Sequence, residues 1–378
     1  MEIFEGRSVV VDAEAAVAEA FAGWGSPDLV MVFSSPVRPA TDVARILATR
    51  FPDAQIVGCT TAGEHLSGEH SNGGLVAVGL SSPKMRWATT MLEDLATADE
   101  ERVRATIDGL FERLSIDRTS LEARRYFCLI FVDGLSVAEE RVIPLVADAL
   151  DGIALIGGSA GDDLAFKKTE VIHGGRARSG AAVIALCESG VSFQLLKHQH
   201  FVATSRMLAI TKADVATRRV YEIDGEPAAT VYARALGVPR DQLTERMTFE
   251  HPLTFLYQHE LYVRSIQKVH ADDSIGFYCA IEEGMVVDIA AHGELVPSLA
   301  ADLAKLAGDG RVDLLIGSNC ILRALETQSG DHHAAVGALF RTFSRHMIGF
   351  DTYGEQLDGL HINQTLVALA LRDIPEAA

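Results

Sequence analysis

Val57-Gly58-Cys59-Thr60-Thr61-Ala62-Gly63-Glu64 and Ile348-Gly349-Phe350-Asp351-Thr352-Tyr353-Gly354-Glu355 are written on one frame, the first near the start of the chain and the second near its end. The alignment runs without a gap from residues 57–80 onto 348–371 at a constant offset of 291, and twelve of the 24 positions are identical. The identities include Gly58/Gly349, Thr61/Thr352, Gly63/Gly354, Glu64/Glu355, His70/His361 and Asn72/Asn363. Repetition this dense indicates one supersecondary unit used more than once, so that related sheets pack pseudo-symmetrically. Gly58 and Gly349 stand where an apolar run ends, and Gly63 and Gly354 where the chain must turn. Glycine alone tolerates positive φ or close backbone approach there.

Working outward from this frame, residues 29–33 (LVMVF) form a continuous apolar run, as in a strand buried on both faces. A helix follows over 41–51, capped by Thr41, with Val43, Ile46, Leu47 and Phe51 on one stripe and Pro52 as its stop. Residues 55–59 return as a strand. Strand, helix, strand implies a parallel pair with a right-handed crossover. The order recurs at 127–132, 137–150 and 153–157, ending in Gly157-Gly158-Ser159-Ala160-Gly161-Asp162, which fits the frame with one residue deleted. Residues 313–316 (DLLI) parallel 28–31 (DLVM) in the last copy. The spacing predicts antiparallel hairpins of 74–80 with 84–91, joined at Ser81-Ser82-Pro83, and of 181–187 with 191–200. The predicted class is α/β, with internally repeated strand-helix-strand-hairpin units forming pseudo-symmetric mixed sheets flanked by helices, in two domains. A strand from 219 to an Asp224-Gly225 turn, with Pro227 opening a helix over 228–236, places the boundary near residue 216, giving domains 1–215 and 216–378. Residues 261–269, 275–281 and 285–289 predict an antiparallel meander.

A net charge of −19 repels phosphate backbones and anionic membrane surfaces, and no basic patch offsets it; neither nucleic acid nor a membrane is an expected partner. The five cysteines (Cys59, Cys128, Cys187, Cys279, Cys320) form no CxxC pair, which suits a reducing compartment, the cytoplasm by default. The first twenty residues lack a basic n-region, and no run reaches the roughly 18 apolar residues that span a bilayer.

Glu64, Asp162 and Glu355 take corresponding turn positions, where a carboxylate accepts backbone N–H bonds or faces a ligand. The glycine-rich 157–161 lacks the helix and lysine of a phosphate loop. His198 and His200 share one face of a strand; two such imidazoles are a solvated or core-edge pair, or bind a transition metal, or supply an axial ligand to haem iron. His70 and His361, recurring with Asn72 and Asn363, point to a structural task of side chain to backbone bonding, with pocket lining as the alternative. His332 and His333 read as solvated at a helix start. Ser318-Asn319-Cys320-Ile321-Leu322-Arg323 ends a strand and opens a helix, where backbone N–H groups and Arg323 attract an anion and favour the Cys320 thiolate. No His/Asn partner for a nucleophilic Cys320 is assignable, and no G-x-S-x-G anchors a serine triad. The expectation is a binding protein, not an enzyme.

The stretches VGCTTAGE (57–64), IGGSAGDD (156–163), EIDGEPAATVYARALG (222–237), GSNCILRALE (317–326) and GFDTYGEQLDGLHINQTLVALAL (349–371) resemble the FIST family of bacterial sensory proteins, over residues 28–371. Within it the chain further resembles the nitric-oxide-sensing haem proteins called NosP, through HQHF (198–201) and EIDGEPAA. That resemblance implies haem b, with His200 as the ligand to iron, His198 supporting it, and Arg176, Arg178 or Arg206 meeting the propionates. It implies a partner histidine kinase or a diguanylate cyclase or phosphodiesterase, regulated by contact, and a homodimer is compatible with it. The alternative is a haem-free FIST sensor of an amino acid or similar metabolite, held near Cys320, Arg323, Glu355, Glu64 and Asn363.

Overall fold

A computed structural model describes residues 1–257 and 260–373. By packing, the chain divides into a larger unit, of 1–198, 299–361 and the stretch from Leu366 on, and a smaller unit, of 199–298 and 362–365. The two matching tracts at the chain's ends thus fall in one unit.

In chain order, the first copy holds β1 (Glu2–Ser8), α1 (Ala13–Ala20), β2 (Leu29–Ser34), α2 (Ala40–Arg50), β3 (Gln55–Thr60), β4 (Glu64–Leu66), β5 (Glu69–Ser71) and β6 (Leu75–Ser81). The second holds β7 (Met85–Leu92), α3 (Glu100–Leu114), β8 (Tyr126–Val132), α4 (Glu139–Ala149), β9 (Ala154–Ser159), β10 (Val171–His173), β11 (Arg176–Arg178) and β12 (Ala182–Ser189), and β13 (Ser192–His198) follows. The smaller unit contributes β14 (Val202–Asp214), β15 (Arg219–Ile223), β16 (Glu226–Pro227), α5 (Ala228–Leu236), α6 (Glu245–Glu250), β17 (Leu253–Tyr257), β18 (Glu260–Arg264), β19 (Ile266–Val269), β20 (Ile275–Phe277) and β21 (Val286–Ala291). The chain then forms α7 (Leu295–Ala307), β22 (Val312–Cys320), α8 (Ile321–Ser329), α9 (His333–Phe343), β23 (Ser344–Thr352), β24 (Glu355–Leu357), β25 (Leu360–Ile362) and β26 (Leu366–Arg372).

Three six-stranded sheets make the larger unit, in the orders β1-β6-β2-β3-β10-β11, β7-β12-β8-β9-β24-β25 and β13-β26-β22-β23-β4-β5. Each has the same plan. Its centre is the expected parallel pair, β2 with β3, β8 with β9 or β22 with β23, fully or almost fully buried because apolar side chains cover both faces. Each outer edge is a short hairpin lent by another copy: β4–β5 of the first joins the third, β10–β11 of the second joins the first, and β24–β25 of the third joins the second. The three copies are therefore interlocked by cyclic exchange of hairpins.

This exchange corrects several expectations. The strands β6 and β7 do not pair with each other; β6 pairs with β1 and β2, and β7 with β12. Likewise β12 pairs with β7 and β8, and β13 with β26. The Ser81-Ser82-Pro83 turn carries the chain from one sheet into the next. Helix α2 starts at Ala40 with Pro39 at its cap and no side-chain cap bond, so Thr41 sits inside the first turn. The pairing register sets Glu64 opposite Phe350 and Glu355 opposite Gly158, while the matching residue opposite Cys59 is Val171. Asp162 is not the equivalent of Glu64 and Glu355. It instead organises its own loop, accepting from the amides of Phe166, Lys167 and Lys168 and from the Tyr353 hydroxyl.

In the smaller unit, β18-β17-β21-β14-β15-β20-β19 form one antiparallel path, with β16 added to β15. Its core includes Ile210, Val220, Tyr232, Ile275 and Val287. The predicted meander is only in part consecutive: β19 pairs with β20, but β21 pairs with β14 and β17.

Candidate functional site

Where the first copy's hairpin lies on the third copy's sheet, four polar side chains line up across adjacent strands. His70 on β5 faces His65 on β4, because the two are directly paired in the hairpin. β4 pairs with β23, which carries Asp351, and Asp351 is paired in the parallel ladder with Asn319 on β22. Each imidazole donates from Nε2 to a different oxygen of Asp351, His65 at 2.8 Å to Oδ1 and His70 at 2.9 Å to Oδ2, and Asn319 donates to Oδ1 at 2.7 Å. His333, at the start of α9, stacks on His70 with ring centroids 4.7 Å apart. It is therefore half-buried against the cluster rather than solvated as expected.

Glycine makes the row possible. Gly63 has φ +150°, and a Cβ there would stand 2.3 Å from Asp351 Oδ2 and 2.8 Å from His70 Nε2. Asp351 is buried, which by itself raises a carboxyl pKa, but the charges and hydrogen bonds of His65 and His70 outweigh burial and hold it well below the usual range. Burial, then repulsion from His70 and His65, pushes His333 down.

Beside this row runs a narrow cleft with a cavity of about 20 Å³, floored by α8 and α9 and reached by His65, His70, Asn319 and Arg323. A second, more open depression of about 410 Å³ shares His70, Ala324 and His333 with it. Most of the remaining wall of the first cleft is apolar, from residues such as Val336, Phe340, Met347 and Leu366. Arg323 stands in the first turn of α8, 2% exposed, with its Nη1 buried and without a hydrogen-bond partner. Burial lowers its pKa to about 10 against the attraction of Glu326 and Glu355, so it remains a cation at neutral pH.

The repeat supplies a control. Val32 pairs with Gly58 and Ala77 as Gly317 pairs with Gly349 and Ala368, which makes Arg38 the first copy's equivalent of Arg323. Arg38 is also buried, but it donates to the carbonyls of Val10 (2.5 Å), Gly74 (2.9 Å) and Gly73 (3.0 Å). One arginine is satisfied by backbone acceptors; the other keeps an unpartnered Nη1. The signal was present in the sequence, since Arg38 and Arg323 each follow the matched Asp28 and Asp313 by ten residues.

Among the other expected ligand residues, Glu64 is saturated: it accepts from Thr61 (2.6 Å), Ser71 (3.1 Å) and the Gly74 amide (2.7 Å). Glu355 accepts from Thr352 at 2.7 Å. Both are buried turn carboxylates outside the cleft's lining. Cys320 is buried at the cap of α8, and Asn363 is buried in the segment grouped with the smaller unit. His361 contacts the Gln356 side chain through Nδ1, and His70 contacts the Asp351 side chain and lines the cleft, the alternative expected for it.

Of the residues expected around haem, His198, Arg176 and Arg178 belong to the larger unit and His200 and Arg206 to the smaller. His198 is fully buried on β13 opposite Leu366. His200 is buried in the smaller unit, its ring 4.5 Å from Phe201 and 4.9 Å from His292. Arg176 and Arg178 are exposed on the edge strand β11 and pair with Glu93; Arg206 donates to the Ala235 carbonyl. Each of these three guanidiniums has a protein acceptor at or near the surface.

A FIST N domain matches residues 28–226 and a FIST C domain residues 228–358. The chain belongs to the FIST family. FIST domains are sensory rather than catalytic domains of signal transduction. An uncharacterized protein of Methanocaldococcus jannaschii is 25% identical over 197 residues, 49% of this chain and 37% of that protein, so this chain matches little more than a third of its relative's length. Among the described residues, no helix is long and apolar enough to cross a membrane.

Proposed function

We propose that this FIST protein senses a small anionic metabolite, of the size and kind of an amino acid or other short carboxylate, bound in the cleft between α8, α9 and the β4–β5 hairpin. One observation carries the reading: Arg323 keeps a buried, unpartnered Nη1 where its repeat equivalent Arg38 is fully used. A guanidinium forks onto a carboxylate with two charge-assisted bonds, and apolar walls accept the rest of a small molecule. Ligand binding widens this narrow cleft by shifting α8 and α9, and a histidine kinase or cyclic-di-GMP enzyme reads that change by contact. The test is a thermal-shift panel of amino acids, keto acids and hydroxy acids. At least one raises the melting temperature of the wild type and not of Arg323→Met; a panel with no such compound overturns the reading.

The nitric-oxide reading keeps one support, the buried His200 imidazole beside Phe201 and His292. Haem, when bound, supplies the iron that takes NO; the protein's part would be an imidazole and a dry wall. Reconstitution with haemin tests it: a Soret band lost in His200→Ala supports this reading, and its absence from folded protein removes it.

A further inference from the structure

We propose that His65, His70 and Asp351 form a binding site for one divalent first-row transition-metal ion, open on its remaining coordination positions toward the cleft. The ligand atoms lie within 4.8 Å of one another. Bonds of about 2.1 Å require neighbouring ligand atoms roughly 3.4 Å apart in a tetrahedron, so the imidazoles need to withdraw by only about half an ångström from their present 2.8 and 2.9 Å. Both come from a short edge hairpin, the element most able to make that adjustment. Two imidazoles and a carboxylate are a borderline set that suits zinc, cobalt or ferrous iron rather than magnesium or calcium.

Two features of the surroundings are what such a site needs. Asn319 holds one Asp351 oxygen and so fixes the carboxylate's orientation, as outer partners of metal ligands do. Among the described residues three protein ligands converge, which leaves room for water or an exogenous molecule from the cleft.

The third copy's hairpin shows what the same positions do when they are purely structural. The register sets Gln356 where His65 stands and Ser159 where Asp351 stands, with His361 in the place of His70. There Gln356 donates to Ser159 Oγ at 3.0 Å and contacts His361 Nδ1 at 3.1 Å, and Ser159 Oγ donates to the buried Glu139 at 3.2 Å. That hairpin is held with one imidazole and a hydroxyl in the place of the Asp351 carboxylate. His65 and Asp351 supply instead the second imidazole and the anion that a metal requires. The inference does not depend on Arg323, so it survives if the metabolite reading fails.

The experiment uses the full chain, stripped with EDTA and titrated with Co²⁺ under visible absorption and with Zn²⁺ by calorimetry. One equivalent binds, with cobalt d–d bands. His65→Gln and His70→Gln each weaken binding by at least the 10–100-fold typical of losing even an outer partner, while His346→Gln binds as the wild type does. Circular dichroism reports whether each variant folds. Should both fail to fold, X-ray absorption of the cobalt-loaded wild type decides: scattering from two imidazoles supports the site, and its absence overturns it. Folded wild type that binds no metal, or binding unchanged in both variants, also overturns it.

Discussion

Arg323 and Arg38 offer opposite outcomes from one substitution at equivalent positions. Burial depresses the Arg323 pKa from its ordinary value to about 10, and at about 1.4 kcal/mol per unit the folded state carries a cost of about 3 kcal/mol for holding this charge. By linkage, a base whose folded pKa is lowered is penalised at every pH below that folded value, and the penalty lifts only as pH climbs from about 10 past the ordinary arginine value. No pH in the physiological range relieves it, so the charge must be removed by substitution. Arg323→Met keeps most of the side-chain volume and should raise the stability of the ligand-free protein by about 2–3 kcal/mol, allowing for imperfect packing. Arg38→Met should do the reverse. It removes three hydrogen bonds, to the carbonyls of Val10, Gly73 and Gly74, the last of which keeps the Ser35 amide, and at about 1 kcal/mol for each bond the loss is about 3 kcal/mol. Urea unfolding followed by tryptophan fluorescence and scanning calorimetry, both without ligand at pH 7, measures the two variants side by side. If Arg323→Met destabilises as much as Arg38→Met, then Arg323 is a structural arginine and the cleft has lost its anchor.

Two further outcomes follow from buried groups of the repeat. Burial raises the Glu64 pKa to about 7 despite its hydrogen bonds, so the folded state holds a proton more tightly than the unfolded chain does. Its contribution is then most favourable below the unfolded value of 4.5 and is lost as pH rises to about 7, by up to about 3 kcal/mol. The stability of Glu64→Gln relative to the wild type should grow across that window and level off above it; a difference that stays flat from pH 5 to 8 refutes the assignment. A Cβ at Gly58 would stand 1.8 Å from the Val32 carbonyl, so Gly58→Ala should disrupt the β2–β3 pair, whereas Gly109 in α3 meets nothing within 4 Å and Gly109→Ala should stabilise by up to about 1 kcal/mol in thermal melts.

The fold was legible wherever burial writes a local pattern. The runs 29–33 and 127–132 are apolar at every position because both faces of β2 and β8 are covered, and the intervening periodicity of α2 and α4 then left only a parallel crossover. Pairing partners were not legible. A serine-serine-proline turn between two apolar strands looks the same whether the strands pair or part, and only the eight-residue ladder of β7 with β12 shows that they part. The site failed to announce itself for the same reason: His65 and His70 lie 286 and 281 residues from Asp351 in sequence, and only the hairpin exchange brings them within hydrogen-bonding distance. Arg323 was legible as an anion-seeking residue at a helix start, but its singularity needed the comparison with Arg38. Glu64 and Glu355 were conspicuous because they repeat, and they repeat because each closes a turn, as Glu64 shows by filling its oxygens from Thr61, Ser71 and Gly74.

Repetition itself explains why a binding site can be carried at one hairpin junction only. Three junctions share a backbone plan but not their side chains: where His65 and His70 stand at one, Gln356 and His361 stand at the second and the apolar Ile172 and Ala177 at the third. Because the plan docks its hairpins without a pair of imidazoles at the other two junctions, this one is able to hold a guanidinium with a spare donor and an aspartate between two imidazoles. Transplanting the neutral set tests this division of labour. His65→Gln combined with Asp351→Ser reproduces the Gln356–Ser159 pairing beside His70, and it should fold with β4 and β5 in place while losing Co²⁺ binding. Amide hydrogen exchange over residues 64–71 reads hairpin docking independently of the metal. Loss of protection there would mean that the charged set is itself the pin, and that the junctions are less interchangeable than their backbones.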